Sequence, residues 1–126
     1  MFRAMARILV IDDETEQCDH IAGVLRTAGH QVQALTSGKE AMASIGAAPP
    51  DLIVCDLLMP DMDGQQVLEK VRANPSCKSV PFIFLTSMRF PGGRDEAKSM
   101  GAQGILIKPF TAQALNDLVN GLLKPA

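Results

Sequence analysis

The sequence predicts an α/β fold: a doubly wound, five-stranded parallel sheet of order 2-1-3-4-5 with helices on both faces. Three observations carry this. Short apolar runs alternate five times with stretches where a helix is expected, most of them with helical periodicity. The central run, Leu52-Ile53-Val54-Cys55, is apolar at every position, as a strand buried on both faces must be. Four runs end on chemically active groups, Asp12-Asp13, Asp56, Thr86 and Lys108. Open α/β sheets bind ligands beyond the carboxyl ends of their strands, at the point where strand order reverses.

Taken in order, Arg7 to Ile11 is the first strand and runs into Asp12-Asp13. Cys18, Ile21, Ala22, Leu25 and Ala28 then fall on one helical face, and Gly29 suits the position just past the helix end. Val32 to Leu35 is a weaker strand. Ser37-Gly38-Lys39-Glu40 fits a capping box, followed by the stripe Ala41, Met42 and Ile45, and Gly46 to Pro50 stops that helix. After the strand Leu52–Cys55, Asp63-Gly64-Gln65-Gln66 opens a third helix with Val67, Leu68 and Val71 inward, and Asn74-Pro75 ends it. Phe82 to Leu85 is the fourth strand, closed by Thr86-Ser87. Pro91-Gly92-Gly93 occupies the place of the next helix's first turn, so that helix is expected to start late, near Arg94. Gly104 to Ile107 is the fifth strand; Lys108-Pro109-Phe110 follows, and Thr111 caps a last helix with the stripe Leu115, Leu118, Val119 and Leu122.

Composition bounds the function. The 126 residues suit one domain, 1–126, with a core over about 6–123. A hydrophobic fraction of 47% with 21% charged residues is that of a globular chain. The formal charge of -2 and the scattered basic residues give no reason to expect nucleic acid or an anionic membrane as partner. No apolar run approaches the roughly 18 residues of a membrane span, and no signal peptide is legible, so the expected location is cytoplasmic. Cys18, Cys55 and Cys77 form no C-x-x-C pair, which argues against zinc; Cys18 and Cys55 read as buried thiols.

The predicted topology gathers Asp12, Asp13, Asp56, Thr86 and Lys108 at one edge. Two carboxylates about 4 Å apart repel by roughly 4 kcal/mol at an effective dielectric near 20, so such a cluster needs cationic compensation. Lys108 supplies one positive charge. Mg²⁺ would supply two more, since it favours one or two carboxylates, several waters and a phosphate. Asp56 is then the candidate nucleophile for an aspartyl phosphate, Lys108 the clamp on its oxygens and Thr86 a hydrogen-bond donor to them. Any one of these residues would serve equally well as a turn cap. Four strand ends all carrying suitable groups point to a site.

With these residues in place, the chain resembles a response-regulator receiver domain of two-component signalling, from about Ala6 to Leu123. The likeness rests on Ile11-Asp12-Asp13-Glu14, on Asp56-Leu57-Leu58-Met59-Pro60 with Met62-Asp63-Gly64, on Leu85-Thr86-Ser87, and on Gly101-Ala102 with Lys108-Pro109-Phe110. It implies that Asp56 accepts phosphate from a sensor histidine kinase or a phosphotransfer protein. It implies that Asp13, Asp56 and the backbone carbonyl of Leu58 bind Mg²⁺, with Asp12 acting mostly through water. Thr86 would be the switch hydroxyl, Lys108 the phosphate-binding lysine, and the Lys108–Pro109 bond cis. The chain would be a phosphorylation-controlled switch, not an enzyme with a separate substrate, acting on an unknown downstream protein or a missing C-terminal output domain. Ile105 departs from the family, which carries an aromatic there, and Pro91-Gly92-Gly93 disturbs the same face. Output is therefore expected to rely on reordering of Met88–Arg94. Two rival classes remain: a receiver-fold binding module that is never phosphorylated, and a Mg²⁺-dependent phosphatase or phosphotransferase acting on small molecules. Asp61-Met62-Asp63-Gly64 is not an EF-hand loop, because the twelfth position is Arg72.

Overall fold

The computed structural model describes residues 6–87 and 98–123. They form the strands β1 (Arg7–Ile11), β2 (Gln31–Leu35), β3 (Leu52–Asp56), β4 (Phe82–Thr86) and β5 (Gly104–Ile107). Between them lie the helices α1 (Thr15–Thr27), α2 (Gly38–Ala47), α3 (Gly64–Ala73) and α4 (Ala112–Leu122), with a 3₁₀ turn at Pro75–Cys77. The sheet is parallel throughout, in the order β2-β1-β3-β4-β5. The helix expected near Arg94, the Pro91-Gly92-Gly93 disturbance and the Met88–Arg94 segment lie outside the described residues.

Strand alternation divides the core into two layers. Leu9, Ile11, Ile53, Cys55, Phe82 and Phe84 face α2 and α3, where Ala41, Ile45, Val67, Leu68 and Val71 meet them. Ile8, Val10, Leu52, Val54, Ile83 and Leu85 face α1 and α4, against Cys18, Ile21, Leu25, Leu115 and Val119. The middle strands β3 and β4 are buried at all five positions each, which is why they read as unbroken apolar runs. Burying each such aliphatic side chain contributes about 1.5–3 kcal/mol. Phe82 and Phe84 pack edge to face, centroids 5.3 Å apart.

The helix ends follow local chemistry. Gly29 takes φ +102, its N–H donates to the Arg26 carbonyl, and His30 N–H donates to the Leu25 carbonyl. That pair of bonds is a Schellman stop, and the left-handed backbone is the reason for glycine. Ala28, expected on the buried stripe, is the exposed cap residue of this stop. The capping box expected at Ser37–Glu40 forms in part. Ser37 Oγ accepts the Glu40 N–H, but the Glu40 carboxylate takes the hydroxyls of Thr36 and Ser37. A complete box forms instead at Asp63, whose side chain accepts the Gln66 N–H while Gln66 accepts the Asp63 N–H.

Two long-range contacts hold the frame. The Arg72 guanidinium, in the last turn of α3, donates to the carbonyls of Gly101 and Cys77 and to Gln103 Oε1, which also accepts the Phe82 N–H. This ties α3 to the entry of β5. His30 is only 6% exposed, and its Nδ1 accepts the Ala6 N–H at 3.3 Å. The histidine sits where β1 and β2 begin, so pairing Gln31 with Ala6 carries it under the sheet edge.

Candidate functional site

The carboxyl edge of the sheet brings the predicted groups together. β1 delivers Asp12 one residue past Ile11, which pairs with Cys55 of β3, and Asp56 follows directly. Carboxylate oxygens of Asp12, Asp13 and Asp56 all lie within 4.8 Å of one another. Asp12 is fully buried, Asp56 is 6% exposed and Asp13 opens to solvent. Backbone bonds fix the edge: Asp12 N–H donates to Leu35 O at 3.1 Å, Leu57 N–H to Leu85 O at 2.8 Å, and Lys108 N–H to Thr86 O at 2.8 Å. The Lys108–Pro109 peptide is cis.

Lys108 enters this cluster from β5. Its Nζ stands 3.3 Å from Asp12 Oδ2, 3.5 Å from Asp56 Oδ2 and 4.0 Å from Glu14 Oε1. The lysine thus bridges the buried acids. Burial alone would lower its pKa, but the charges of Asp12 and Asp56 outweigh that and raise it, so it stays ionised. The Asp56 pKa also rises, but here the rise favours the neutral form. Burial pushes its carboxyl up, Asp12 adds to this, and Lys108 and the Leu58 backbone hydrogen bond pull back; the result is about 6.

Thr86 closes β4 at 1% exposure, one position beyond Leu85, the register partner of Asp56. Leu58 stands out at 57% exposure two residues after the acid. A cleft lined by Gln17, His20, Ser87, Lys108, Pro109 and Phe110 opens beside the lysine. Ile105 is half-buried against the α2/α3 layer and pairs with Phe84.

Sequence reasoning left one participant without a role. Glu14 is the N-cap of α1; its N–H donates to Asp12 Oδ1 at 3.0 Å and its carboxylate faces Lys108. Its position as the third acid after a strand was the available signal. The topology already brought Asp12 and Lys108 to one edge; what the structure adds is their direct 3.3 Å contact across 96 residues of chain.

The residues present fit a hard divalent cation. Three carboxylates converge, Lys108 meets two of them, and the carboxyl of Asp56 is held up toward its neutral form. Oxygen donors at a half-open edge are the set that Mg²⁺ prefers. No helix among the described residues is long and apolar enough to cross a membrane.

Comparisons with known proteins place the chain in a family. The chain is 31% identical over 121 residues to the two-component response regulator ORR11 of Oryza sativa subsp. indica, covering 95% of this chain and 82% of that protein. It is 32% identical to the transcriptional regulatory protein TrcR of Mycobacterium tuberculosis, covering 94% of this chain and 45% of the relative. Among solved structures, chemotaxis protein CheY4 of Vibrio cholerae superposes with a TM-score of 0.89 at 33% identity, covering 95% of this chain and 100% of that one. The family description "Response regulator receiver domain" matches residues 8–120, a span that runs from the second residue of β1 into α4 and includes Asp12, Asp13, Asp56, Thr86 and Lys108, and the chain belongs to that family.

Proposed function

We propose that this chain is a phosphoacceptor switch in which Asp56 receives a phosphoryl group from a sensor histidine kinase or a phosphotransfer protein. The observation that carries the reading is the placement of Lys108 Nζ between Asp12 and Asp56, with Asp13 completing the acid cluster.

Asp12, Asp13, Asp56 and the backbone carbonyl of Leu58 would hold Mg²⁺. When bound, the ion supplies charge neutralisation for the phosphoryl oxygens. The protein's own groups do the rest. Asp56 is ionised above pH 6 and presents an oxygen at the mouth of the site. That oxygen bonds to phosphorus while the phosphorus–nitrogen bond of the donor breaks; the electron pair leaves with the donor imidazole, which then takes up a proton. Lys108 exchanges its contact with the Asp56 carboxylate for one with the new phosphoryl oxygens. Asp12 keeps the ammonium aligned, and the Thr86 hydroxyl donates to a phosphoryl oxygen. Hydrolysis of the aspartyl phosphate by water at the same site resets the switch, so no separate substrate is turned over.

The chain acts as one unit over 1–126, in the cytoplasm, without nucleic acid or membrane contact of its own. It signals to a downstream protein or to a C-terminal output domain. Incubation with acetyl phosphate and Mg²⁺, followed by intact mass, tests the reading. One labile phosphoryl adduct, absent in Asp56→Asn, is expected. No adduct would leave a binding module, and steady phosphate release at enzyme-like rates would indicate a phosphatase. Pull-down with wild type against Asp56→Asn under phosphorylating conditions then identifies the partner.

A further inference from the structure

We propose that Gly64 and Gly38 are positioning residues for the site: they let the first turns of α3 and α2 close on the loop 57–63 from two sides, fixing where Asp56 and the Leu58 carbonyl stand. This rests on the Mg²⁺-dependent phosphoacceptor reading and extends it to two residues that carry no side chain.

The loop leaving β3 is pinned first at Leu57. Its N–H donates to Leu85 O and its carbonyl accepts the Gly64 N–H, both at 2.8 Å. That second bond requires the backbone of α3 to run directly against the strand end. A Cβ at Gly64 would lie 2.5 Å from the Asp56 carbonyl oxygen and 2.9 Å from Leu57 Cα. Both are backbone atoms, so no side-chain torsion can relieve the contact. Reaching ordinary separation near 3.5 Å means moving the Asp56–Leu57 backbone, or the helix, by about 1 Å.

The second brace comes from α2. A Cβ at Gly38 would stand 2.8 Å from Met62 Cβ and 3.0 Å from its sulfur. The Asp63–Gln66 box fixes the far end of the loop. Leu58 lies between these anchors. Mg²⁺ demands near-octahedral oxygen ligands at about 2.1 Å, so a ligand backbone displaced by a fraction of an ångström costs affinity. Crowding either glycine should therefore appear in metal binding beyond any loss of stability.

The test compares Gly64→Ala and Gly38→Ala with Val71→Ala, which opens space under α3 at a buried position away from the loop. Mg²⁺ affinity is measured by titration calorimetry, and melting temperature separately in EDTA. Both glycine variants should bind Mg²⁺ about 10- to 100-fold more weakly, the range seen when residues behind a metal's ligands are disturbed. Val71→Ala should melt lower and keep its affinity within about twofold, as an independent site does. Adding Met62→Gly to Gly38→Ala removes the opposing Cβ and should restore most of the lost affinity. If Gly64→Ala does not fold, the Gly38 pair decides. Wild-type affinity in Gly38→Ala, or affinity lost equally in Val71→Ala, would overturn the inference alone. Absence of Mg²⁺ binding in the wild type would overturn the phosphoacceptor reading with it.

Discussion

Replacing Asp56 by Asn in divalent-free buffer should stabilise the protein, by an amount that depends on pH. The folded state holds the Asp56 carboxyl at about 6, first through burial and then through Asp12, against an ordinary value of 3.8. A carboxyl raised in this way contributes stability while it is protonated. The contribution is complete below about 3.8 and is lost as pH rises through about 6. At 1.36 kcal/mol per pH unit the displacement corresponds to about 3 kcal/mol. The site is open on the side of Asp13, and solvent screening reduces this to about 1–2 kcal/mol. For a chain of this length that amounts to about 4–8 °C in melting temperature at pH 7.5. Because the chain lacks Trp and Tyr, the transition is best followed by far-UV circular dichroism, from pH 4.5 to 8 in EDTA. The gap between variant and wild type should be small at pH 4.5 and widen up to pH 7. Millimolar Mg²⁺ should then close it by raising the wild type alone, since a ligand at ten times its Kd adds about 1.4 kcal/mol to the state that binds it. A gap that is constant across pH, or an Asn variant that melts lower at pH 7.5, would refute the crowded-carboxylate reasoning.

His30 should work against Asp56. Burial lowers its pKa from 6.5 and its neutral Nδ1 accepts the Ala6 N–H, so its contribution is complete above pH 6.5 and lost as pH falls through the lowered value. Thermal melts of Asp56→Asn should therefore lose stability below pH 6.5, and Asp56→Asn/His30→Asn should show a flatter profile. Lys108→Met leaves the buried Asp12 facing Asp56 without its cation, and urea titration in EDTA should show a loss of about 3 kcal/mol. Intact mass after acetyl phosphate treatment should show little adduct in the same variant. Asp63→Ala removes the side-chain acceptor of the Gln66 N–H, while the backbone N–H at position 63 can still donate to Gln66, and should cost about 1 kcal/mol in the same titration.

What the sequence made legible divides along the range of the interactions. Leu52 to Asp56 announced a two-sided central strand because burial on both faces leaves no polar position to alternate. Gly29 announced a helix stop because the left-handed turn is local. The acids and the lysine were legible as strand ends, and the topology alone then sufficed to bring them to one edge. The capping boxes show where local pattern loses its force. Ser37-x-x-Glu40 and Asp63-x-x-Gln66 look alike, yet the Glu40 carboxylate is drawn to the hydroxyls of Thr36 and Ser37, whereas the Gln66 amide has the Asp63 N–H to accept.

His30 and Asp12 mark the other limit. Burial of His30 depends on the Ala6 N–H, 24 residues away, and no helical or strand period at positions 28–32 encodes that distance. The role of Asp12 depends on Lys108 in the same way. The family resemblance spoke only of its part toward the metal; the fold adds that Asp12 is fully buried and holds the lysine by a direct 3.3 Å contact, with the Glu14 N–H on its other oxygen. Without the lysine that carboxylate would lie buried beside Asp56 with no cation, and without the carboxylate the lysine would lose its 3.3 Å anchor. The two residues are therefore one device. Its product is a positive charge kept beside Asp56, so that under the proposed function an incoming phosphoryl group would meet an ammonium already in place.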